Sequence, residues 1–268
     1  VAHLAADDEK ACFEIVRGLL SYLPQNNLEE APLLDSSDPV DRMDEELESL
    51  ARTDSKGVED VRKIIGHVFD EGDLLEIMPM WAENLVVGFA RLGGRAVGVV
   101  ANQPTSLEGR LDSDACSKGA RFIRFCDAFS LPVITLIDTP GFVLGEKQGH
   151  GRVMREAAKL VYAYCEATVP KLTVVTRRAQ AEGFETMCSK RIGADFSFAW
   201  PSAEIDAWET AKTSKTDDSL SPYPAAAADH LDDIIEPVIT RPRLVAGLEA
   251  CISKRENRPP KKHGNIPL

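Results

Sequence analysis

Leu131–Lys159 reads LPVITLIDTPGFVLGEKQGHGRVMREAAK, and this stretch decides the fold of the 268-residue chain. Its first seven residues form a short apolar run rich in β-branched side chains, which Asp138-Thr139-Pro140-Gly141 ends abruptly. A run of this length, closed by a Pro-Gly turn, is typical of a strand buried in the centre of a parallel sheet. A glycine-bearing loop and an amphipathic helix follow. We therefore expect a strand, a turn and a helix in this order.

The turn in this stretch has the composition of an anion or oxyanion site. Glycines allow a ligand to approach the backbone closely, and the start of a helix carries partial positive charge, so the N–H groups around Gly141 and Phe142 are candidate donors. Asp-Thr-Pro-Gly also occurs where a GTPase senses the γ-phosphate, but the chain has no G-x-x-x-x-G-K-[ST] phosphate loop and no Asn-Lys-x-Asp. An ordinary strand-to-helix turn is the remaining alternative.

The segments on both sides of this stretch alternate between strand and helix patterns. Gly93-Gly94 separates two apolar runs and predicts a two-residue hairpin. Alternating strands and helices predict an α/β fold with parallel pairing and right-handed crossovers. The predicted strands are 74–77, 84–92, 95–101, 131–137 and 171–176, the predicted helices include 58–68, 113–129, 185–192 and 241–255, and a second glycine-containing turn is predicted at 180–184.

Three segments divide the chain. A helix that Asp7 or Asp8 caps opens it without an initiator Met, so we expect residues 1–32 to be the end of a unit that begins upstream. Residues 33–57 are acidic and punctuated by prolines, which predicts a solvated linker. Residues 58–268 carry the strand and helix patterns and are expected to form the main domain.

Composition excludes several classes of protein. The formal net charge of −12 argues against nucleic-acid binding, which needs a basic face. No apolar run approaches the length of a membrane span, and no signal pattern opens the chain. The six cysteines contain no C-x-x-C pair and the five histidines are scattered. These patterns predict reduced thiols, a cytoplasmic protein and no metal site.

Seven segments resemble the carboxyltransferase β subunits of biotin-dependent acyl-CoA carboxylases, and the branch for propionyl-CoA and a broad range of acyl-CoA looks closest. They are NLVVGFAR (84–91), VVANQP (99–104), ARFIRFCDAF (120–129), DTPGF (138–142), YAYCEATVPK (162–171), SKRIGAD (189–195) and KKHGNIPL (261–268). Such subunits consist of two crotonase-like domains. The resemblance implies that residues 58–268 are the C-terminal one, a ββα superhelix that faces biotin, and that residues 1–32 match the last helix of the N-terminal, CoA-binding half.

The resemblance also implies the activity. In this family carboxybiotin releases CO2, the ureido group takes a proton from the carbon beside the thioester, and the resulting enolate attacks CO2. Backbone N–H pairs hold both developing oxyanions, so no titrating side chain is required. We therefore expect carboxyl transfer to acetyl- or propionyl-CoA. The implied partners are an N-terminal half, a biotin carboxyl carrier protein and a biotin carboxylase, in a homo- or hetero-oligomer whose sites lie between different subunits.

The resemblance assigns site residues one by one. The oxyanion pair is the backbone N–H groups of Glu182 and Gly183, and Glu185 stands at the position that tunes acyl-chain selectivity. The residues expected on the biotin side are Gly141, Phe142, Gln148, Gly151 and Phe184.

This chain departs from the family pattern at both turns. Gln180-Ala181-Glu182-Gly183-Phe184-Glu185 stands where the family has aromatic-Gly-Gly-Ala-aromatic-Asp, and a positive φ at Glu182 would cost about 1 kcal/mol or more relative to glycine. Gln148-Gly149-His150-Gly151-Arg152 replaces Gln-Glu-aromatic-Gly-Gly. These departures leave two alternatives open: a biotin-independent acyl-CoA decarboxylase, and a catalytically impaired structural subunit of a carboxylase complex.

Overall fold

The computed structural model describes residues 2–26, 29–52, 59–143, 150–206, 220–256, 264 and 267. Within these residues eight strands form one mixed sheet, and helices precede, connect and follow them. The strands are β1 (Leu75–Glu76), β2 (Leu85–Leu92), β3 (Arg95–Asn102), β4 (Val133–Thr139), β5 (Lys171–Gln180), β6 (Phe196–Ala199), β7 (Glu204–Asp206) and β8 (Asp233–Ile234). The helices are α1 (Glu9–Ser21), α2 (Glu46–Ala51), α3 (Val61–Val68), α4 (Ser113–Ala128), α5 (His150–Glu166), α6 (Ala181–Thr186), α7 (Pro222–Ala227) and α8 (Thr240–Ala250).

The strand order is β1-β2-β3-β4-β5-β6-β8, and β7 pairs with β5 outside this path. The β1–β2 and β2–β3 pairs are antiparallel, whereas every pair from β3 onward is parallel. All seven residues of β4 are buried. A strand covered on both faces needs a continuous apolar run, as Leu131–Ile137 supplies. The predicted α/β class, the central strand and the parallel pairing are confirmed.

Helices cover both faces of the sheet and divide the core in two. One apolar cluster lies under α4 and α5 and includes Phe122 and Leu160. The other lies under α3 and α8 and includes Ile65 and Leu244.

The β2–β3 hairpin is the predicted Gly93-Gly94 turn, with φ of 60° and 79° at the two glycines. Buried Asp70 accepts hydrogen bonds from both glycine N–H groups, at 2.9 and 2.6 Å. Its charge is balanced by Arg241 of α8, whose side chain is fully buried and whose Nη2 lies 2.7 Å from Asp70 Oδ1. The ion pair thus joins the C-terminal helix to the hairpin.

The described part of the acidic segment 33–57 packs on the domain. Leu47 of α2 is fully buried, and the carbonyls of Asp38 and Pro39 accept hydrogen bonds from Arg241. The segment boundaries at residues 32 and 57 stay predictions.

Several predicted element boundaries were wrong: the helix expected at 58–68 begins at Val61, and the strand expected at 131–137 runs from Val133 to Thr139. Three further differences have a physical reason. β5 continues to Gln180 because its last residues, Arg178–Gln180, pair with β7, a partner distant in sequence. The helix predicted at 185–192 is instead α6 followed by a separate 3-10 turn at Lys190–Ile192, because Cys188 adopts a positive φ of 60° and breaks the helix. The last helix ends at Ala250 rather than Arg255.

Candidate active site

Two turns meet at the carboxyl ends of the parallel strands, where ligands bind in open α/β sheets. The first turn, Thr139–Phe142, follows β4. The second turn, Gln180–Gly183, is the point at which β5 ends and α6 begins.

The first turn is held by its own side chains and by a neighbouring loop. Gly141 has a φ of +111°, a conformation that favours glycine. Its N–H donates to Thr139 Oγ1 at 3.2 Å, and its carbonyl accepts from Thr139 Oγ1 and from the Leu111 N–H. The Phe142 N–H, by contrast, donates to no residue in the described part of the chain. Among the described residues, therefore, the Phe142 amide has no acceptor, while the Gly141 amide is already engaged.

The second turn does not use the positive φ that favours glycine. Glu182 and Gly183 lie in the first turn of α6, and neither has a positive φ, so Glu182 carries none of the strain that a positive φ would cause. The reason is that extended Gln180, with φ −112° and ψ 144°, leads straight into the helix. The first N–H groups of a helix have no intrahelical acceptor, and no side chain caps α6. The Glu182 side chain is exposed.

The two turns are in direct contact. A Cβ added to Gly183 would lie 2.8 Å from Gly141 Cα and 3.1 Å from both Gly141 N and Thr139 Cγ2. A Cβ added to Gly141 would meet only Gln180 O among the described atoms within 4 Å, at 3.8 Å. The missing side chain of Gly183 thus allows the turns to touch, and no described atom lies closer than 3.8 Å to a Cβ placed on Gly141.

The other predicted site residues have different surroundings. Gln148 lies outside the described residues, and Gly151 is in the first turn of α5. The Phe184 side chain is fully buried in the core and makes an edge contact with His230, so only its backbone is available to a ligand. Glu185 Oε2 accepts a hydrogen bond from Ser189 Oγ at 2.8 Å. The role of Glu185 in acyl-chain selectivity stays a prediction.

Sequence reasoning missed one group at this site. Asp138, the last residue but one of β4, is buried and lies between Arg177 and Arg178 of β5, with each arginine Nε 3.0 Å from one of its carboxylate oxygens. The available signal was an Asp at the carboxyl end of one predicted parallel strand and an Arg-Arg pair at the end of the next.

The thiol beside the second turn, Cys188, is unreactive. Burial raises the pKa of the Cys188 thiol, which follows α6, to about 12. This thiol therefore stays protonated at neutral pH and is no ready nucleophile. Over the described parts of the chain, no group of three or more His, Cys, Asp or Glu side chains is placed to hold a metal ion. None of the helices in those parts is both long and apolar enough to cross a membrane.

Comparison with known proteins decides the family: the sequence model of the carboxyl transferase domain family matches residues 1–215 of this chain. The chain belongs to the carboxyl transferase domain family. It is 45% identical over 284 residues to the methylmalonyl-CoA decarboxylase subunit alpha of Veillonella parvula, covering 100% of this chain and 56% of that protein. It is 44% identical over 292 residues to the carboxyltransferase subunit of propionyl-CoA carboxylase from Haloferax mediterranei, covering 100% of this chain and 57% of that protein.

Solved structures agree with this carboxyl transferase assignment. The crystal structure of transcarboxylase 12S, described as a hexamer assembly with hydrolysed methylmalonyl-coenzyme A bound, superposes with a TM-score of 0.92 at 42% identity. That match covers 99% of this chain and 56% of the other. The resemblance seen in the sequence and the crotonase-like α/β fold are confirmed. The chain spans about half the length of the relatives it matches.

Proposed function

We propose that this chain is the biotin-facing half of an acyl-CoA carboxyltransferase, which moves a carboxyl group between biotin on a carrier protein and a short acyl-CoA such as propionyl-CoA. One observation carries the proposal: two backbone turns at the carboxyl ends of β4 and β5 touch through Gly141 and Gly183, and N–H groups without described acceptors lie on both. Membership of the carboxyl transferase family supports the same reading.

The site suits a ureido group. Such a group is planar and neutral, presents one carbonyl oxygen, and needs N–H donors about 2.7–3.1 Å from that oxygen when negative charge develops there. No described atom lies closer than 3.8 Å to a Cβ placed on Gly141, and Phe142 has a buried side chain but an amide that donates to no described residue. Biotin, when bound, supplies the carboxyl group to be moved and the ureido oxygen on which charge appears.

The residues of this chain then have defined roles. The Glu182 and Gly183 N–H groups donate to the developing oxyanion, and the Phe142 amide faces the same space from the first turn. The buried rings of Phe142 and Phe184 back the two turns with apolar atoms, and a low dielectric strengthens each hydrogen bond. Losing one such donor typically costs about 3 kcal/mol in the barrier. Glu185 remains our candidate for acyl-chain selectivity, and Gln148 and Gly151 for contacts to biotin.

The complete enzyme requires further parts. We propose that an N-terminal half binds CoA, and that a biotin carboxyl carrier protein and a biotin carboxylase supply the carboxyl group. The outer face of α1 supports a packed neighbour, since it exposes the large apolar side chains of Phe13, Val16 and Leu20. The hexamer described for transcarboxylase 12S supports an oligomer. We further propose that the site lies between subunits.

A second candidate has one observation in its favour. The relative from Veillonella parvula, at 45% identity, is named as a methylmalonyl-CoA decarboxylase subunit. The same amides would stabilise an enolate formed when a carboxyl group leaves, so a decarboxylase is consistent with this geometry. Our second candidate is the form that works without biotin.

One experiment separates these functions. The complete protein, purified with its carrier, is given labelled carboxyl groups on the carrier together with acetyl- or propionyl-CoA. Label that reaches the acyl-CoA only with the biotinylated carrier, and not with a carrier that lacks biotin, supports the proposal. Release of CO2 from methylmalonyl-CoA without any biotin supports the decarboxylase. A complete complex that does neither, but stays assembled, makes the chain a structural subunit.

A further inference from the structure

Asp138 joins two arginines at the place where both turns begin. The Asp138 side chain is only 8% exposed. Its Oδ1 accepts a hydrogen bond from Arg178 Nε, and its Oδ2 forms an ion pair with Arg177 Nε, both at 3.0 Å. We call these three residues the Asp138 clamp. A buried carboxylate needs a partner, and the two arginines supply it, Arg178 by a hydrogen bond and Arg177 by its charge.

The clamp lies at an irregularity in the β4–β5 pairing. Ile137 is level with Val175, but Thr139 is level with Ala179, so Asp138 alone stands opposite residues 176–178. Such bulges re-aim the strand that follows them. The extra length of β5 brings the start of α6 beside the first turn, where Gly183 contacts Gly141. Thr176 Oγ1 donates to the Ile137 carbonyl at 3.1 Å and satisfies the interrupted ladder.

A second connection leads from the clamp to the Phe142 peptide. Arg178 Nη2 donates to the Glu108 carbonyl at 2.9 Å. Glu108 belongs to the loop at residues 107–111, in which Leu107 and Glu108 have positive φ. This conformation is strained for residues other than glycine and persists only where surrounding contacts hold it. Leu111, at the end of the loop, donates to the Gly141 carbonyl and accepts from the Val143 N–H, at 2.9 Å each. These two bonds lie on either side of Phe142 and fix the plane of its peptide.

We propose that Asp138 is a positioning residue that fixes, through Arg177 and Arg178, the separation of the Phe142 and Gly183 amides. This inference rests on the proposed function, because it assigns those amides to one bound oxygen. Asp138 needs no contact with the substrate in this role. A misplacement of about 1 Å costs on the order of 100-fold in rate, so a small movement of either turn is measurable.

The test compares two buried carboxylates in the complete enzyme with its carrier. Asp138→Asn keeps the shape of the side chain but removes its charge and one acceptor. Asp70→Asn makes the same change in the Arg241 ion pair at the β2–β3 hairpin. We expect Asp138→Asn to lower kcat about 10- to 100-fold with the KM for acyl-CoA within about twofold. The reason is that a movement of the turns by up to about 1 Å displaces only the amide donors. Asp70→Asn is expected to lose a similar amount of thermal stability and to keep kcat.

Hydrogen exchange supplies a readout that does not depend on turnover. We expect the hydrogen-bonded amides of Leu111 and Val143, which flank the Phe142 peptide, and of Met187, which donates to the Gly183 carbonyl, to exchange faster in Asp138→Asn than in wild type, and to be unchanged in Asp70→Asn. Equal loss of kcat in both variants, or unchanged exchange at the two turns in Asp138→Asn, overturns the inference. If wild type transfers no carboxyl group, the proposed function fails, and the exchange data alone decide whether the clamp positions the turns.

Arg178→Lys covers the case in which Asp138→Asn does not fold. It keeps the charge beside Asp138 but cannot also reach the Glu108 carbonyl with a second fixed donor. Faster exchange at the Leu111 and Val143 amides is expected, and exchange equal to wild type there contradicts the proposed path through the loop.

Discussion

The two turns present backbone amides by different means. At the first turn the chain bends through Gly141, whose φ of +111° is the feature that demands glycine, and Thr139 holds the bend. At the second turn the backbone is ordinary strand followed by ordinary helix, and Gly183 is needed only because Gly141 leaves no room for a Cβ. One glycine is thus conformational and the other steric, and substitution should separate them.

The largest effect is expected from Gly183→Ala. Its Cβ would lie 2.8 Å from Gly141 Cα, and because this contact is with backbone, one turn must move. We expect carboxyl transfer to fall at least about 100-fold and stability to fall by about 1–3 kcal/mol, measured by steady-state kinetics and denaturant unfolding.

Gly66→Ala is the matched control for that substitution. Gly66 lies within α3, and a Cβ there meets nothing within 4 Å. Alanine should therefore stabilise the protein by about 0.5–1 kcal/mol and leave transfer unchanged. Equal kinetics for Gly183→Ala and Gly66→Ala would show that the contact between the turns is unimportant.

A smaller effect is expected from Gly141→Ala. The space beside Gly141 is open, so the cost is the backbone conformation alone, about 1–2 kcal/mol. We expect a loss of stability of this size, with a smaller loss of kcat than in Gly183→Ala. The reverse order of the two kcat values would contradict the division into a conformational and a steric glycine.

The smallest effect on kcat is expected from Thr139→Val, which keeps the shape of the side chain and removes Oγ1. The Gly141 N–H then loses its acceptor, at a cost of about 1–3 kcal/mol for a buried group. Thr135→Val on the same strand, which breaks the bond to the Tyr164 hydroxyl, should cost a similar amount. Only Thr139→Val should lower kcat, and a matching fall in Thr135→Val would place the effect in the core rather than in the turn.

Local patterns predicted the elements whose signal is contained in adjacent residues. The β-branched run gave β4, and the Gly93-Gly94 pair gave the hairpin, since each needs only its own side chains and a turn. The length of β5 depends on pairing with β7, and the start of α6 depends on the bulge opposite Asp138. These are contacts between distant segments, so no window of sequence contains them.

The same distinction applies to the site. Gly141 and Phe142 were predicted from the Pro-Gly turn, and Glu182 and Gly183 came from the family resemblance. The Asp138 clamp was missed, because an Asp and two arginines forty residues apart become neighbours only when β4 pairs with β5. The contact between Gly141 and Gly183 is likewise visible only in the fold.

The most direct test of the account is a structure of the complete enzyme with biotin bound. We predict that the ureido oxygen lies about 2.7–3.1 Å from the amide nitrogens of the second turn, with the Phe142 amide facing the same pocket. If these amides donate to protein atoms while biotin binds elsewhere, the assignment of the two turns as a site for developing negative charge is wrong.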